Sequence, residues 1–357
     1  MTMALFGKQQ KGGTLGVDIG ARSIKLVELS SEKGRAHLMT YGYGELPISS
    51  DGELLIDQPA VAGELLSRVY KEAGCRAQNA MAALPTSNIF STILSVPAAK
   101  DRKTLKPTID AEVEKLSPLP LSEMITYSTF LGGDEKATKG ETYAQVLVTG
   151  AAKTLVQKYL EMFKAAKLQL KTLDTESFAL IRSLIGKDRS PIMLIDLGAR
   201  RTNLTIAEKG IPFVTRSVNL GGDLLTSRIQ SLLDVDIAEA ENMKLDVGSP
   251  SPDEHGAQGL PLLDAIIQPL LNEIRYVFQL YADMELTEAK TVEKIILTGG
   301  SSHLPGLLEQ LSSTLNLNVY RGNPWARVAY PKDLSVVLEE IGPRMSVAVG
   351  LAMRDIE

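Results

Sequence analysis

The sequence predicts a duplicated α/β protein: two lobes on related strand-turn-strand units, with a small subdomain inserted into the first. Three observations predict it. "VDIGAR" at Val17–Arg22 returns nearly unchanged as "IDLGAR" at Ile195–Arg200, half a chain later. Between the copies, from Asn88 to Leu168, the texture changes to a run of short strands and helices. After the second copy, "KIILTGGSSHLPGL" (Lys294–Leu307) reads as a buried strand delivering two glycines to a helix start.

The elements follow from periodicity and chain breakers. Leu15–Ile19 and Ile24–Leu29 are β-type runs around Gly20-Ala21-Arg22-Ser23, a hairpin, with a third strand over Ala36–Glu45. Ala60–Ala73 has helical spacing and stops at Gly74, and "NAMAALP" is a buried strand entering Pro85. In the inserted segment, "IFSTILSVP" is a strand, "DRKTLKPTIDAEVEKL" a helix interrupted by Pro107, and Ile125–Leu131 and Ala144–Gly150 are strands. The helix Lys153–Ala166 completes it. "LKTLDTESFALIRSLIG" then runs into a helix, and the second hairpin spans Ile192–Ala207. Leu220–Leu233, Ala238–Leu245 and Leu260–Leu286 are helical, and Lys294–Leu297 is a buried strand followed by a helix from Pro305. In the last helix, Ala348, Gly350 and Ala352 let another backbone pack closely.

Composition removes several function classes. With 357 residues, 44% hydrophobic and 23% charged, the chain is long enough for two cores. A net charge of −5 without a Lys/Arg block argues against a general nucleic-acid binder. The single cysteine, Cys75, makes no internal disulfide, and no secretory apolar region follows the first Met, so a reducing cytoplasm is expected. No apolar run reaches the roughly 18–20 residues of a spanning helix. The start "MTMALFGKQQKGG" reads either as a membrane-surface segment or as a frayed tail. His37, His255, His303 and Cys75 have no metal-site spacing, and no P-loop pattern is present.

A repeated Asp-x-Gly turn has a chemical reading and a plain one. A tight turn points N–H groups into its bend, and Gly lets an anion approach. Asp repels phosphate, so its place there makes sense if hydrated Mg²⁺ lies between them. Two such turns facing each other would grip a polyphosphate from both sides, while the Gly-Gly strand end would meet the nucleoside. The plain reading makes each motif a turn and nothing more.

Taken in order, two Asp-x-Gly hairpins, a connecting helix, the Gly-Gly motif and a small-residue terminal helix resemble the actin/Hsp70/sugar-kinase ATPases. "LGVDIGARSIKLVEL", "ALPTSNIFSTILSVP", "LSPLPLSEMITYSTFLG", "LDTESFAL", "NLGGDLLTSRI", "AENMKLDVG" and "SVAVGLAMR" narrow the resemblance to the PilM family of type IV pilus assembly proteins, relatives of the cell-division protein FtsA. The resemblance implies an actin-like ATPase (ribonuclease H-like) duplicated fold with an FtsA-type inserted subdomain, 1C. Its expected divisions are subdomain 1A at 14–87, 1C at 88–168, a 1A connection at 169–191, domain 2 (2A/2B) at 192–340, and a helix returning to 1A at 341–357.

It also implies roles. Asp18, Gly20, Ser23 and Lys25 would form the first phosphate turn, Asp196, Gly198 and Thr202 the second, with Asp18 and Asp196 holding Mg²⁺ through water. Gly299, Gly300 and Ser301 would support the adenosine of ATP, Glu241 and Lys244 would flank ribose and adenine, and Gly221 and Gly222 would line the same cleft. Read without the resemblance, Glu241 and Lys244 are a solvated i,i+3 pair. Glu176 stands where related ATPases position the attacking water, or is a helix-start carboxylate favoured by the dipole. Ala21 replaces a Ser or Thr of many relatives, and Arg200 and Arg201 occupy a turn where neutral or acidic residues are usual, so ATP binding with slow or absent hydrolysis is expected. Arg200 and Arg201 either neutralise the γ-phosphate or face solvent.

The implied function is a cytoplasmic scaffold, peripheral to the inner membrane, that captures the N-terminal cytoplasmic peptide of PilN and through it meets PilO and the pilus motor ATPases. Homo-oligomerisation stays open. Phe90–Val96 and Leu116–Leu121 are the candidate walls of the peptide groove. The alternatives are a small-molecule kinase, for which no acceptor-activating carboxylate is recognisable, and a filament-forming relative of FtsA, whose amphipathic C-terminal membrane helix has no counterpart in the ending "LAMRDIE".

Overall fold

A computed structural model describes residues 13–46, 53–99, 102–131, 143–246, 259–287 and 289–356. The N-terminal stretch 1–12 and His255 lie outside these residues.

Each lobe repeats one sheet plan. In the first, Thr14–Ile19, Ser23–Glu32 and Arg35–Glu45 form an antiparallel meander, and Asn79–Leu84 and Gln169–Thr175 add in parallel beside Thr14–Ile19. In the second, Ile192–Leu197, Thr202–Glu208 and Ile211–Val218 form the meander, and Lys294–Thr298 and Asn318–Arg321 add in parallel. The inner parallel strands, Asn79–Leu84 and Lys294–Thr298, are apolar runs because both their faces are covered; Ile295 and Leu297 are fully buried. A third, antiparallel sheet of Ile89–Pro97, Tyr143–Ala152 and Met124–Leu131 carries helix Lys106–Leu116 on one face.

Three differences from expectation have physical causes. Pro107 opens its helix instead of interrupting it, since its missing N–H falls in the first turn, where no intrahelical acceptor exists. Helix Lys153–Ala165, expected to close the inserted subdomain, buries Tyr159, Met162 and Phe163 against Leu65, Leu66 and Val69 in the first lobe's core. The final helix, Ser335–Ala352, begins before residue 341. The chain has by then already returned to the first lobe, with Trp325 and Val328 packed on Val27 and Leu29 and Val328–Ala329 paired with Arg35–Glu45.

Two helices, Glu176–Leu180 and Ser335–Ala352, lie between the lobes in a core shared by Met81 and Ala83 of one sheet and Ile192, Leu194 and Ile296 of the other. They meet backbone to backbone. A Cβ on Gly350 would stand 1.9 Å from the Ala179 carbonyl oxygen, and one on Gly16 2.1 Å from that of Ala348. Neither backbone can yield without moving a sheet. Gly350→Ala is therefore predicted to destabilise the protein by about 3 kcal/mol, read as a lower denaturant midpoint.

Candidate functional site

A cavity of about 450 Å³ separates the lobes, floored by the two duplicated turns. Both turns close in the same way: Gly20 N–H donates to the Ser23 carbonyl at 2.8 Å, and Gly198 N–H to the Arg201 carbonyl at 2.9 Å. Ala21-Arg22 and Ala199-Arg200 thus stand at matching bends. Strand register then places Asp18 opposite Lys25 and Asp196 opposite Asn203. Lys25 Nζ donates to Asp18 Oδ2 at 3.1 Å.

Glu176 stands over these aspartates at the start of its helix, where Thr175 caps the Phe178 N–H. Its Oε2 accepts from the Thr86 N–H at 2.7 Å, the Thr86 hydroxyl at 2.8 Å and Asn203 Nδ2 at 3.0 Å. Desolvation and the nearby charges of Asp196 and Asp18 push Glu176 up to about 7, against the hydrogen bonds from Thr86. Desolvation, with Asp18 second, raises Asp196 to about 6, opposed by Lys25 and Asn203. Three carboxylates thus face one lysine across the cavity floor, an imbalance that a divalent cation would relieve.

The other wall is ordered by hydrogen bonds among its own side chains. Lys244 Nζ donates to Glu241 Oε2 at 2.6 Å and to the Thr226 hydroxyl at 3.0 Å, and that hydroxyl donates to Glu241 at 2.6 Å. Burial works against the Glu241 charge, but these bonds and the Lys244 ammonium hold it below the usual carboxylate range. At the end of Lys294–Thr298, Gly299 N–H and the Thr298 hydroxyl both donate to the Pro343 carbonyl, tying the glycine turn to the terminal helix. Gly299 has φ +83°, and a Cβ there would lie 2.5 Å from Asp196 Oδ1. Only glycine brings this turn so close to the carboxylate.

Of the expected site residues, Asp18, Gly20, Ser23, Lys25, Glu176, Asp196, Gly198, Glu241, Lys244, Gly299, Gly300 and Ser301 line the cavity. Three do not. Thr202 is fully buried and its hydroxyl donates to the Leu220 carbonyl, stapling its strand to the following loop. Gly222 N–H donates to the Gly198 carbonyl, joining the helix start to the second turn, and Gly221 lines a neighbouring side cavity. Arg200 and Arg201 line both cavities, and Arg200 reaches Asp223 at 3.5 Å. Sequence reasoning missed Asn203, Thr86 and Arg22. Asn203 was within reach, because it occupies in "IDLGARRTNL" the place of Lys25 in "VDIGARSIKL".

The family model of the type IV pilus assembly protein PilM matches residues 16–356. The chain belongs to the PilM family of type IV pilus assembly proteins. A solved PilM–PilN type IV pilus biogenesis complex matches with a TM-score of 0.80 and 27% identity, over 96% of this chain and 98% of that one. The cell division protein FtsA of Streptococcus pneumoniae is 22% identical over 350 residues, 87% of this chain and 75% of its own. MreB5 of Spiroplasma citri, solved with AMPPNP, shares the fold at a TM-score of 0.54 and 10% identity, covering 95% of each chain. The fold of this PilM-family chain is that of the actin-like ATPases.

The raised carboxylates give the cavity a pH signature. The folded state keeps protons that the unfolded chain releases near pH 4, so this stabilisation is complete below the unfolded values and is lost as pH rises through about 6 and 7. Without ligand, stability should fall by on the order of 2 kcal/mol across that window. Glu176→Gln should flatten the slope, read as thermal midpoint against pH.

Proposed function

We propose that this PilM-family protein is an ATP-binding scaffold of the type IV pilus assembly platform that captures the N-terminal cytoplasmic peptide of PilN. The observation that carries the reading is the match, over nearly the whole of both chains, to the PilM–PilN complex. The nucleotide half rests on the cavity. Its donor set fits a hydrated Mg²⁺: two strand-end aspartates crowd one another, and Mg²⁺ favours one or two carboxylates with water and phosphate oxygens. Among the described residues no group of three His, Cys, Asp or Glu side chains is arranged to hold a metal ion by itself. Phosphate and water would therefore complete the shell. Asp18 and Asp196 would hold the ion, which supplies charge neutralisation between carboxylates and phosphates. Gly20, Ser23, Lys25 and Gly198 would bind the phosphates, and Gly299, Gly300, Ser301, Glu241 and Lys244 the nucleoside.

Binding without brisk turnover is the expected behaviour. Ala21 offers no hydroxyl at the first bend, and Glu176 Oε2 is engaged by three donors, which suits a carboxylate that braces Thr86 and Asn203. A single-turnover assay should show phosphate release far below about 1 s⁻¹. Rapid release that disappears in Glu176→Ala would contradict this.

For the peptide, the inserted subdomain is the candidate platform. Leu94 and Val96 of the expected wall Phe90–Val96 are buried in that subdomain's own core, which leaves Leu116 and Leu119 of the other. Ile125 and Tyr127 share the face of Met124–Leu131 that points away from helix Lys106–Leu116, and Tyr127 is 73% exposed. An apolar face of this kind suits an extended peptide. Through PilN the scaffold would meet PilO and the motor ATPases and lie at the cytoplasmic face of the inner membrane, where homo-oligomers are compatible with it. No helix among the described residues is long and apolar enough to cross a membrane. Immobilised PilN N-terminal peptide should retain the protein, and Tyr127→Glu should weaken retention at least about tenfold, roughly 1.4 kcal/mol. Equal retention of wild type by a scrambled peptide would reject the reading.

A further inference from the structure

The Arg22 side chain joins the lobes. Arg22, at the bend of the first turn, donates from Nη2 to Asp223 Oδ1 at 2.9 Å, across 201 residues of chain. Asp223 sits in the first turn of helix Gly222–Leu233, whose start is bonded to the second hairpin through Gly222 N–H to Gly198 and Asp223 N–H to Ala199. Its other oxygen, Oδ2, lies 3.5 Å from Arg200 Nε at the bend of the second hairpin. One carboxylate therefore holds a guanidinium from each of the two duplicated bends. This ion-pair cluster divides the main cavity, which Arg22 lines, from a side cavity of about 350 Å³, which Asp223 lines, while Arg200, Arg201 and Leu54 line both.

Two features say that the cluster is incomplete as it stands. Arg22 Nε is buried and has no hydrogen-bond acceptor, a state that is costly for a charged donor and that a guanidinium escapes by forking onto a planar or tetrahedral anion. The side chain lines the main cavity and is 15% exposed. Positive charge also converges there, because Arg22 and Arg200 meet at Asp223 with Arg201 beside them. The cavity is thus bipolar: Asp18, Asp196 and Glu176 crowd its floor, and guanidiniums from both bends gather at its rim. A magnesium-bridged polyphosphate has the complementary order, with the cation at the carboxylates and the terminal phosphate towards the rim.

We propose that Arg22 and Arg200 read the terminal phosphate of the nucleotide, with Asp223 as their resting partner, so that the site distinguishes a nucleoside triphosphate from a diphosphate. This rests on the nucleotide reading of the cavity. When a third phosphate enters, its oxygens compete with Asp223 for the two guanidiniums and supply Arg22 Nε with an acceptor. Because Arg22 belongs to the first lobe and Asp223 to the second, the exchange replaces a direct bond between lobes with one made through the ligand. A diphosphate ends short of the rim and leaves the Asp223 pairing in place. The residues read phosphate number and say nothing about the base.

The test is calorimetric titration of the full chain with Mg-AMPPNP and, separately, Mg-ADP. Arg22→Gln should weaken AMPPNP binding about tenfold and ADP binding less than about threefold. Asp223→Asn, which keeps the shape and removes the competing charge, should tighten AMPPNP severalfold and leave ADP nearly unchanged. Wild type binding both nucleotides, with each variant shifting them equally or not at all, would overturn the inference while sparing the nucleotide reading. Wild type binding neither would overturn both. Should Arg22→Gln fail to fold, Arg200→Gln carries the same expectation, since it leaves the interlobe bond in place.

Discussion

Everything in the cavity follows from crowding too many carboxylates onto one half-buried floor. Asp18 and Asp196 end equivalent strands of two equivalent sheets, so any arrangement that packs the sheets about the central helices brings the two acids together. Glu176 opens one of those helices and joins them. With Lys25 as the cation bonded to Asp18 there, the ligand-free protein answers by raising the proton affinity of Glu176 and Asp196. A cation placed among these groups would stabilise all three at once, which is why we propose the cleft as a receptor for a metal-phosphate pair and not for a bare anion.

The framework tolerates this charge because its rigidity comes from elsewhere. Gly350 against Ala179 and Gly16 against Ala348 bring backbones within reach that no side chain permits. The Pro343 carbonyl, taken by Thr298 and Gly299, couples the glycine-turn side of the cleft to the same terminal helix. The lobes share that helix at their base and meet again at the rim through Arg22 and Asp223, so ligand contacts at the rim act on a pivot that is already fixed.

How much of this the sequence disclosed depends on whether the signal was local. The hairpins, the glycine turn and the small residues of the last helix were legible, since each is a short pattern with one backbone solution. The helix Lys153–Ala165 was legible as a helix but not as part of the first lobe's core: its apolar stripe says that a partner exists and not which one. Thr86 and Asn203 could be tied to Glu176 only through sheet register, 90 and 27 residues away. Thr202, which borders the second turn in the string, and Gly222, expected in the cleft through the family resemblance, look like ligand contacts, yet they hold that turn in shape.

The central claim is that two duplicated turns close on a magnesium-bridged triphosphate. Its most direct measurement is calorimetric binding of AMPPNP with Mg²⁺ and with the metal chelated away. Saturable one-to-one binding that needs Mg²⁺, and that Asp196→Asn weakens at least tenfold, is the predicted result. Binding of equal strength without the metal, or none with it, would contradict the account.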